Sequence, residues 1–293
     1  GMAGDTVISE VKTDNKNADI DDAGARRTDI VKQGAGSIPK APFYGYKIID
    51  ADIDKAYEYL NKNFLFSSIW GYKKKGMTEE EYSALISETA ARDLKTLWAD
   101  IREKNAADAK CSIGYFKCRS ARNSIEVFSD SDKLLHTFNF PDSKSVPKYS
   151  LADFISSDDT FYDILPMQIV TLGDRPAEYC AEFFKNHDYK NYYMAHGLFT
   201  ALTEALAEYI HHLIRMELGI GRAEESGAAS VAGKYRSKRF SFGYPLCPNI
   251  EYNEIIANML HADKIGVKIS ETFQMNPEYS TSAFIICHPD VKY

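Results

Sequence analysis

The sequence predicts an α+β fold, and three observations carry that prediction. Short runs with strand character are segregated from long amphipathic runs, with none of the alternating strand–helix rhythm of a parallel sheet. An apolar stripe at helical spacing persists from Tyr193 to Leu218, far longer than any strand. The composition, 44% hydrophobic and 26% charged over 293 residues, suits a globular chain with a substantial core.

Residues 1–37 are polar and rich in Asp, Lys, Ala and Gly, and read as a tail or linker ahead of a single folded unit over 38–293. Gly1 before Met2 reads as a remnant of tag removal, and Met2 as a genuine start. Ile38-Pro-Lys-Ala-Pro42 marks entry into folded structure. Asp50 or Asp52 is placed to cap a short helix running to about Asn63. Thr78 with Glu81 forms a capping box, followed by Tyr82, Leu85, Ile86, Ala90, Leu94, Leu97, Trp98 and Ile101 at helical spacing.

The period then changes. Segments starting at Cys111, Ser124 and Leu134 predict three short strands separated by polar turns. Leu151–Ile155 starts a short helix, and Leu165–Gly173 reads as a strand running into a turn. In the long helix, Leu198, Leu202, Leu206, Ile210, Leu213 and Ile214 form the apolar stripe. Glu204, Glu208, His211 and Arg215 lie on another face, and Gly219 stops the helix. Gly221–Gly233 is a loop, Ile250–Leu260 a further helix, and Val267–Met275 with Thr281–Cys287 a β-hairpin around Asn276-Pro277-Glu278.

A formal charge of −7 lacks the basic footprint of a nucleic-acid binder. The five cysteines are widely spaced and odd in number, which points away from a disulfide framework or zinc knuckle and toward a reducing compartment. No run approaches the roughly 18 apolar residues of a membrane span, and no secretory leader opens the chain, so no membrane partner and a cytoplasmic location are expected. Nucleotide-loop, metalloprotease and nucleophile-elbow signatures are absent. His211 and His212 are adjacent on a helix and point about 100° apart, so a surface or capping role suits them better than a shared metal. His196 and Glu204, two turns apart, are weak metal candidates.

The most unusual segment is Lys238-Arg-Phe-Ser-Phe-Gly-Tyr-Pro-Leu-Cys-Pro248, whose prolines and aromatics predict a stiff extended loop. Such a loop suits ligand capture, because little ordering entropy remains to be lost. Arg239 in it is able to fork onto a carboxylate, either of a ligand or in a salt bridge.

Three ordered motifs then carry a resemblance. They are Arg239–Pro248 in the pattern R-x-x-x-G-Y-P-x-C-P, Ile265-Gly-Val-Lys-Ile-Ser-Glu-Thr-Phe-Gln-Met275, and His288-Pro-Asp-Val-Lys-Tyr293. Leu202-Thr-Glu-Ala-Leu-Ala-Glu-Tyr209, and more loosely Trp70-Gly-Tyr72 and Ala41–Gly45, extend the likeness over residues 41–293. The sequence resembles the activation domain of cobalamin-dependent methionine synthases.

The resemblance implies a C-shaped α+β unit with a bent antiparallel sheet flanked by helices, binding S-adenosylmethionine in a shallow groove. It implies that the chain supports reductive methylation of cob(II)alamin held on the cobalamin-binding module of a methionine synthase, with electrons from a flavodoxin-like donor. A chain lacking the homocysteine, folate and cobalamin modules would do this in trans. The alternative is a docking or capping partner for another corrinoid methyltransferase, without productive S-adenosylmethionine binding.

By the same resemblance, Arg239 matches the arginine that holds the methionine carboxylate, and Glu204 the helix glutamate facing the groove. Tyr293 matches the tyrosine lining the ligand site. Tyr244 with Gly243 falls on the turn facing the corrin, and Ser241 falls where backbone groups contact the ligand. Asn61 stands where the family's best-known members carry Asp, Ala201 replaces an arginine, and Gly233 falls near an absent glutamate. Charged hydrogen bonds contribute about 1.5–3 kcal/mol against about 0.5–1.5 for neutral ones, so Asn61 implies affinity lowered several-fold to tenfold rather than lost.

Overall fold

The computed structural model describes residues 34–142, 149–231, 233 and 235–291. The expected tail over 1–37 therefore lies mostly outside the described residues. The strands are β1 (Gly45–Asp50), β2 (Lys110–Ala121), β3 (Ser124–Phe128), β4 (Leu134–Asn139), β5 (Asp163–Thr171), β6 (Lys238–Phe240), β7 (Lys268–Ile269), β8 (Met275–Asn276) and β9 (Ser280–Ile286). Seven of them form one antiparallel sheet in the order β4-β3-β2-β5-β9-β6, with β1 added to β2.

Strand β2 explains how the sheet departs from a flat layer. Its Lys110–Tyr115 half pairs with β1 and its Lys117–Ala121 half pairs with β3, while β5 runs along Lys110–Cys118 on the other edge. One edge of β2 thus changes partner at Phe116. Strand twist accumulates along so long a strand, and two separate partners relieve it more easily than one.

Two apolar cores lie on opposite faces of the sheet. Alternation along β5 and β9 feeds both: Leu165, Met167, Ile169, Phe284 and Ile286 enter one core, and Val170 and Ile285 the other. A strand covered on both faces reads as a continuous apolar run, and every residue of β5 is buried.

The helices are α1 (Ile53–Glu58), α2 (Lys62–Phe64), α3 (Glu79–Ala84), α4 (Ala91–Glu103), α5 (Arg175–Lys185), α6 (Tyr189–Glu217), α7 (Ala228–Val231) and α8 (Tyr252–Met259). The long α6 packs on one face with Leu198, Leu202, Leu206, Ile210 and Ile214 fully buried. Buried Gln168 of β5 ties the sheet to it by donating to the Ala207 carbonyl at 3.0 Å. On the opposite face α8 packs through Ile256 and Ala257, with Leu260 just past its end.

The capping box at Thr78 forms, and the helical run behind it continues from α3 into α4 through a π-helical stretch at Leu85–Ala90. Asp52 caps α1, as one of the two expected candidates. The helix expected to reach Asn63 instead stops at Glu58, and Asn61 caps the separate α2.

Three further expectations need correction. Val267–Met275 and Thr281–Cys287 do not pair as a hairpin. Within the first, β7 pairs only with the two-residue β8, while β9 crosses into the main sheet between β5 and β6. Burial of the β9 apolar run in both cores outweighs local pairing. His211 and His212 are not surface residues but buried ones. Gly221–Gly233 is not wholly irregular, since a 3₁₀ turn at Ala223–Glu225 and α7 fall within it. Strand β1 and helix α5 were not expected from the pattern.

Candidate functional site

The site is built on α6, because residues four apart on a helix share a face. Glu204 and Glu208 sit one turn apart, and His211, His212 and Arg215 follow. The two carboxylates differ sharply in surroundings: the Glu204 side chain is 63% exposed and that of Glu208 is 11% exposed. The difference arises because α7 and Tyr235 fold over the Glu208 turn. Ser230 Oγ and Tyr235 Oη both donate to Glu208 Oε1, at 2.5 and 2.6 Å.

Arg239 reaches the same carboxylate from β6. Its Nε and Nη2 donate to Glu208 Oε2 at 3.4 and 3.3 Å, and Nη2 lies 3.7 Å from Glu204 Oε2. The fork expected of Arg239 therefore grips a carboxylate of the protein itself. Deeper in, buried Arg215 lies over the Tyr235 ring, 3.6 Å from its centroid. It also donates to Nδ1 of His211 at 3.4 Å and of His212 at 3.2 Å.

A guanidinium has no acceptor, so both imidazoles must offer a lone pair at Nδ1. His211 then carries its proton on Nε2 and donates to Ser237 Oγ at 2.8 Å. Burial pushes His211 down to about 4, with Arg215 and Arg239 adding to the effect against the pull of Glu208. Burial likewise lowers His212. Burial opposes ionisation of Glu208, but its charged and hydrogen-bonding neighbours, Arg239 and Ser230 among them, outweigh it and hold its carboxyl well below the usual range. This is a permanently ionised carboxylate between two guanidiniums.

Above this network lies a groove of three adjoining hollows that share Glu204. The first, about 410 Å³, is bounded by Arg239, Ser241, Tyr244, Pro245 and Leu246. The second, about 260 Å³, lies between α2 and α6 and is bounded by Asn61, Phe64, Ala201, Glu208, Tyr235 and Arg239, among others. The third, about 170 Å³, adds Asn253, Gln274 and Glu278 beyond Ser241 and Tyr244.

Asn61, Glu204, Arg239, Ser241 and Tyr244 are thus brought to one groove from α2, α6, β6 and the turn after it. Asn61, Ala201 and Gly233, where the sequence departs from the family pattern, all line the second hollow. Asn61 is exposed there, and its Oδ1 accepts the Phe64 backbone N–H at 3.0 Å.

Gly243 does not line the groove but shapes it. Its φ of +92° is open to glycine at little cost, and its N–H donates to the Cys247 carbonyl at 2.9 Å. Cys247 returns a backbone N–H to the Tyr244 carbonyl at 2.9 Å and its thiol to the Ser241 carbonyl at 2.6 Å. This closed turn holds Tyr244 outward, 65% exposed.

Tyr293 lies outside the described residues. The motif leading to it is anchored by His288, which is buried and accepts the Asp290 N–H at Nδ1 over 3.1 Å. Sequence reasoning placed Glu208 on the right helix face without a role, and did not single out Ser230, Tyr235 or Phe64. The i, i+4 spacing of Glu204 and Glu208 was the signal available for the first. Nothing local marks the others. His196 joins no metal cluster: it meets Tyr279 Oη at 2.7 Å, and no group of three His, Cys, Asp or Glu among the described residues is arranged to hold an ion.

Comparison with known proteins places the chain in a family. Two relatives, each described as a methionine synthase, come from Mycobacterium tuberculosis and Mycobacterium leprae. They are 33% and 34% identical over 275 residues, 87% of this chain. The chain spans 23% of the length of each relative. A crystal structure described as the MetH reactivation domain bound to AdoHcy shares the fold with a TM-score of 0.77 at 24% identity, covering 92% of this chain and 87% of that one. The profile described as vitamin B12 dependent methionine synthase, activation domain, matches residues 52–293, and the chain belongs to that family.

Proposed function

We propose that this chain binds S-adenosylmethionine in the groove and supports reductive methylation of cob(II)alamin on the cobalamin-binding module of a methionine synthase, acting in trans. The observation that carries the reading is the pairing of Arg239 with exposed Glu204 in one groove, next to the outward-facing Tyr244. The ligand is a zwitterion with a sulfonium, so it needs a cation for its carboxylate and an anion for its positive groups. The groove presents both within 4 Å of each other. A related fold solved with AdoHcy supports the choice of ligand.

In this reading Arg239 holds the carboxylate and Glu204 faces the positive end. Asn61 contributes a neutral hydrogen bond at the opposite wall and Ser241 contributes backbone groups, and the family resemblance gives Tyr293 the role of a tyrosine lining the ligand site. Tyr244, held out by Gly243, meets the corrin face of the partner module. The chemistry supplied from outside is one electron from a flavodoxin-like donor, which takes cob(II)alamin to cob(I)alamin, and a methyl group passing from sulfonium to cobalt, which leaves S-adenosylhomocysteine. The chain itself supplies position and orientation, which suffices because cob(I)alamin is itself the nucleophile.

The test combines this chain with a cobalamin-binding module, S-adenosylmethionine and a reductant. Formation of the methylcobalamin spectrum beyond a control lacking the chain is expected. No difference from the control overturns the proposal. Exposed Tyr244 also suits a second reading, a corrin cap with no donor site. Titration with S-adenosylhomocysteine separates the two, since a cap gives no saturable heat.

A further inference from the structure

We propose that Glu208 is the positioning residue of the groove, acting on a carboxylate-bearing ligand through Arg239. The inference rests on the reading that the groove takes an adenosyl amino acid. Being an anion, Glu208 repels a ligand carboxylate and cannot bind it directly. Its two oxygens are divided between two tasks. Oε2 accepts both Nε and Nη2 of Arg239, which sets the plane of the guanidinium. Oε1 accepts Ser230 and Tyr235, which hold the wall carrying α7 against α6.

The two short hydroxyl contacts fix the carboxylate, and the carboxylate in turn fixes Arg239. Arg215, 3.6 Å from Oε1, supplies the compensating charge from beneath, so Arg239 need not neutralise Glu208 alone. The guanidinium is thereby oriented before any ligand arrives, and less ordering remains to be done on binding. Arg239 lines both the first and the second hollow, so its orientation governs ligands in either.

The opposite sign is physically reasonable and must be distinguished. If Glu208 merely occupied Arg239, a ligand would have to displace it, and neutralising Glu208 would tighten binding. The buried setting of Glu208, pinned by two hydroxyls and flanked by two guanidiniums, argues for support rather than competition.

Two ligands separate positioning from structure: S-adenosylhomocysteine, which carries the amino-acid end, and 5′-methylthioadenosine, which lacks it. Calorimetric titration of Glu208→Gln is expected to show S-adenosylhomocysteine bound roughly 10- to 100-fold more weakly, the loss of a charged fork partner. 5′-Methylthioadenosine is expected to bind within about twofold of the wild type, since it makes no demand on Arg239. In an Arg239→Ala background the same change should have no further effect on S-adenosylhomocysteine.

Glu208 is buried beside Arg215, and Glu208→Gln risks failing to fold. Tyr235→Phe then decides, because it removes one pin and leaves both charges and the ring in place. It should weaken S-adenosylhomocysteine several-fold, by about the worth of one hydrogen bond to a charged group, and leave 5′-methylthioadenosine unchanged. Equal losses for both ligands would make Glu208 a plain wall residue, and tighter S-adenosylhomocysteine binding would make it a competitor; either overturns the proposal. Saturable binding by the wild type with no selective loss in the variants overturns this inference alone. No saturable binding of either ligand by the wild type overturns the ligand reading and this inference together.

Discussion

At the scale of single residues, the groove concentrates its charge on one side. Arg239, Glu204 and Glu208 converge from α6 and β6, while the N-cap of α2 presents a neutral amide at Asn61 and α6 adds only a methyl at Ala201. Asn61 does two things at once: its Oδ1 caps α2, and its side chain faces the second hollow. Aspartate caps a helix as well as asparagine does, so Asn61→Asp should leave stability within about 0.5 kcal/mol. It would place a full negative charge opposite the ligand's positive groups and convert a neutral hydrogen bond to a charged one. The expected result is S-adenosylhomocysteine bound several-fold to tenfold more tightly, read by calorimetric titration. Unchanged or weaker affinity would mean that Asn61 does not meet the ligand. The relevance of this position came from the family resemblance, since nothing in the residues around Asn61 marks it. The placement of Ser230 and Tyr235 was not visible in the sequence, because their partner is Glu208, which is 22 and 27 residues away in the chain and joined only by folding.

At the scale of elements, the groove exists because α2 and its π-helical continuation, Leu65–Ile69, dock tightly on α6. Gly197 permits the approach. A Cβ there would lie 2.5 Å from Ile69 Cγ2 and 3.3 Å from Trp70 Nε1, and Trp70 donates that N–H to the Met194 carbonyl at 3.0 Å. Ile69 is β-branched and stiff at χ1, so it cannot swing aside cheaply. Gly197→Ala should therefore cost about 1–3 kcal/mol through overpacking, against a helix-propensity gain of about 1 kcal/mol. It should also weaken ligand binding by shifting Asn61 and Phe64 outward. Denaturant unfolding and titration check the two effects, and a more stable variant with intact binding would contradict this account of the docking. The elements legible in the sequence were those with a strong period: α6, the Thr78-capped helix, and strands β2 to β5. Strand β1 was missed because it is half-buried along its length and pairs with only one half of β2, which leaves no clean alternation. Helix α5 carries Pro176 in its first turn, a start signal obscured by the turn that ends β5.

At the scale of the whole molecule, buried imidazoles and thiols set the pH range over which the fold is stable. His211 is held down to about 4 by burial, and burial also lowers His212 and His136. In the unfolded chain these groups titrate near their ordinary value of 6.5. Between about 6.5 and 4 the unfolded state therefore binds more protons than the folded one, and stability must fall as pH falls through that window. For His211 alone, the drop from 6.5 to about 4 corresponds to roughly 3 kcal/mol, a large share of a domain's total. Glu208 stays ionised in the folded chain while its unfolded counterpart takes up a proton near 4.5, so the histidines carry the loss above about pH 5 and Glu208 adds to it below. At the alkaline end burial raises Cys111 and Cys247 to about 12 from an ordinary 9, so the unfolded chain sheds protons first and stability falls again above about 9. Urea midpoints should thus be level from about pH 6.5 to 9 and decline on both sides. His211→Gln keeps a donor for Ser237 but cannot be protonated, so its acid limb should be shallower than that of the wild type. An equal acid slope in the two proteins would show that His211 is not the group responsible. A flat wild-type profile down to pH 4.5 would show that burial beside Arg215 does not hold the two imidazoles neutral in the folded chain.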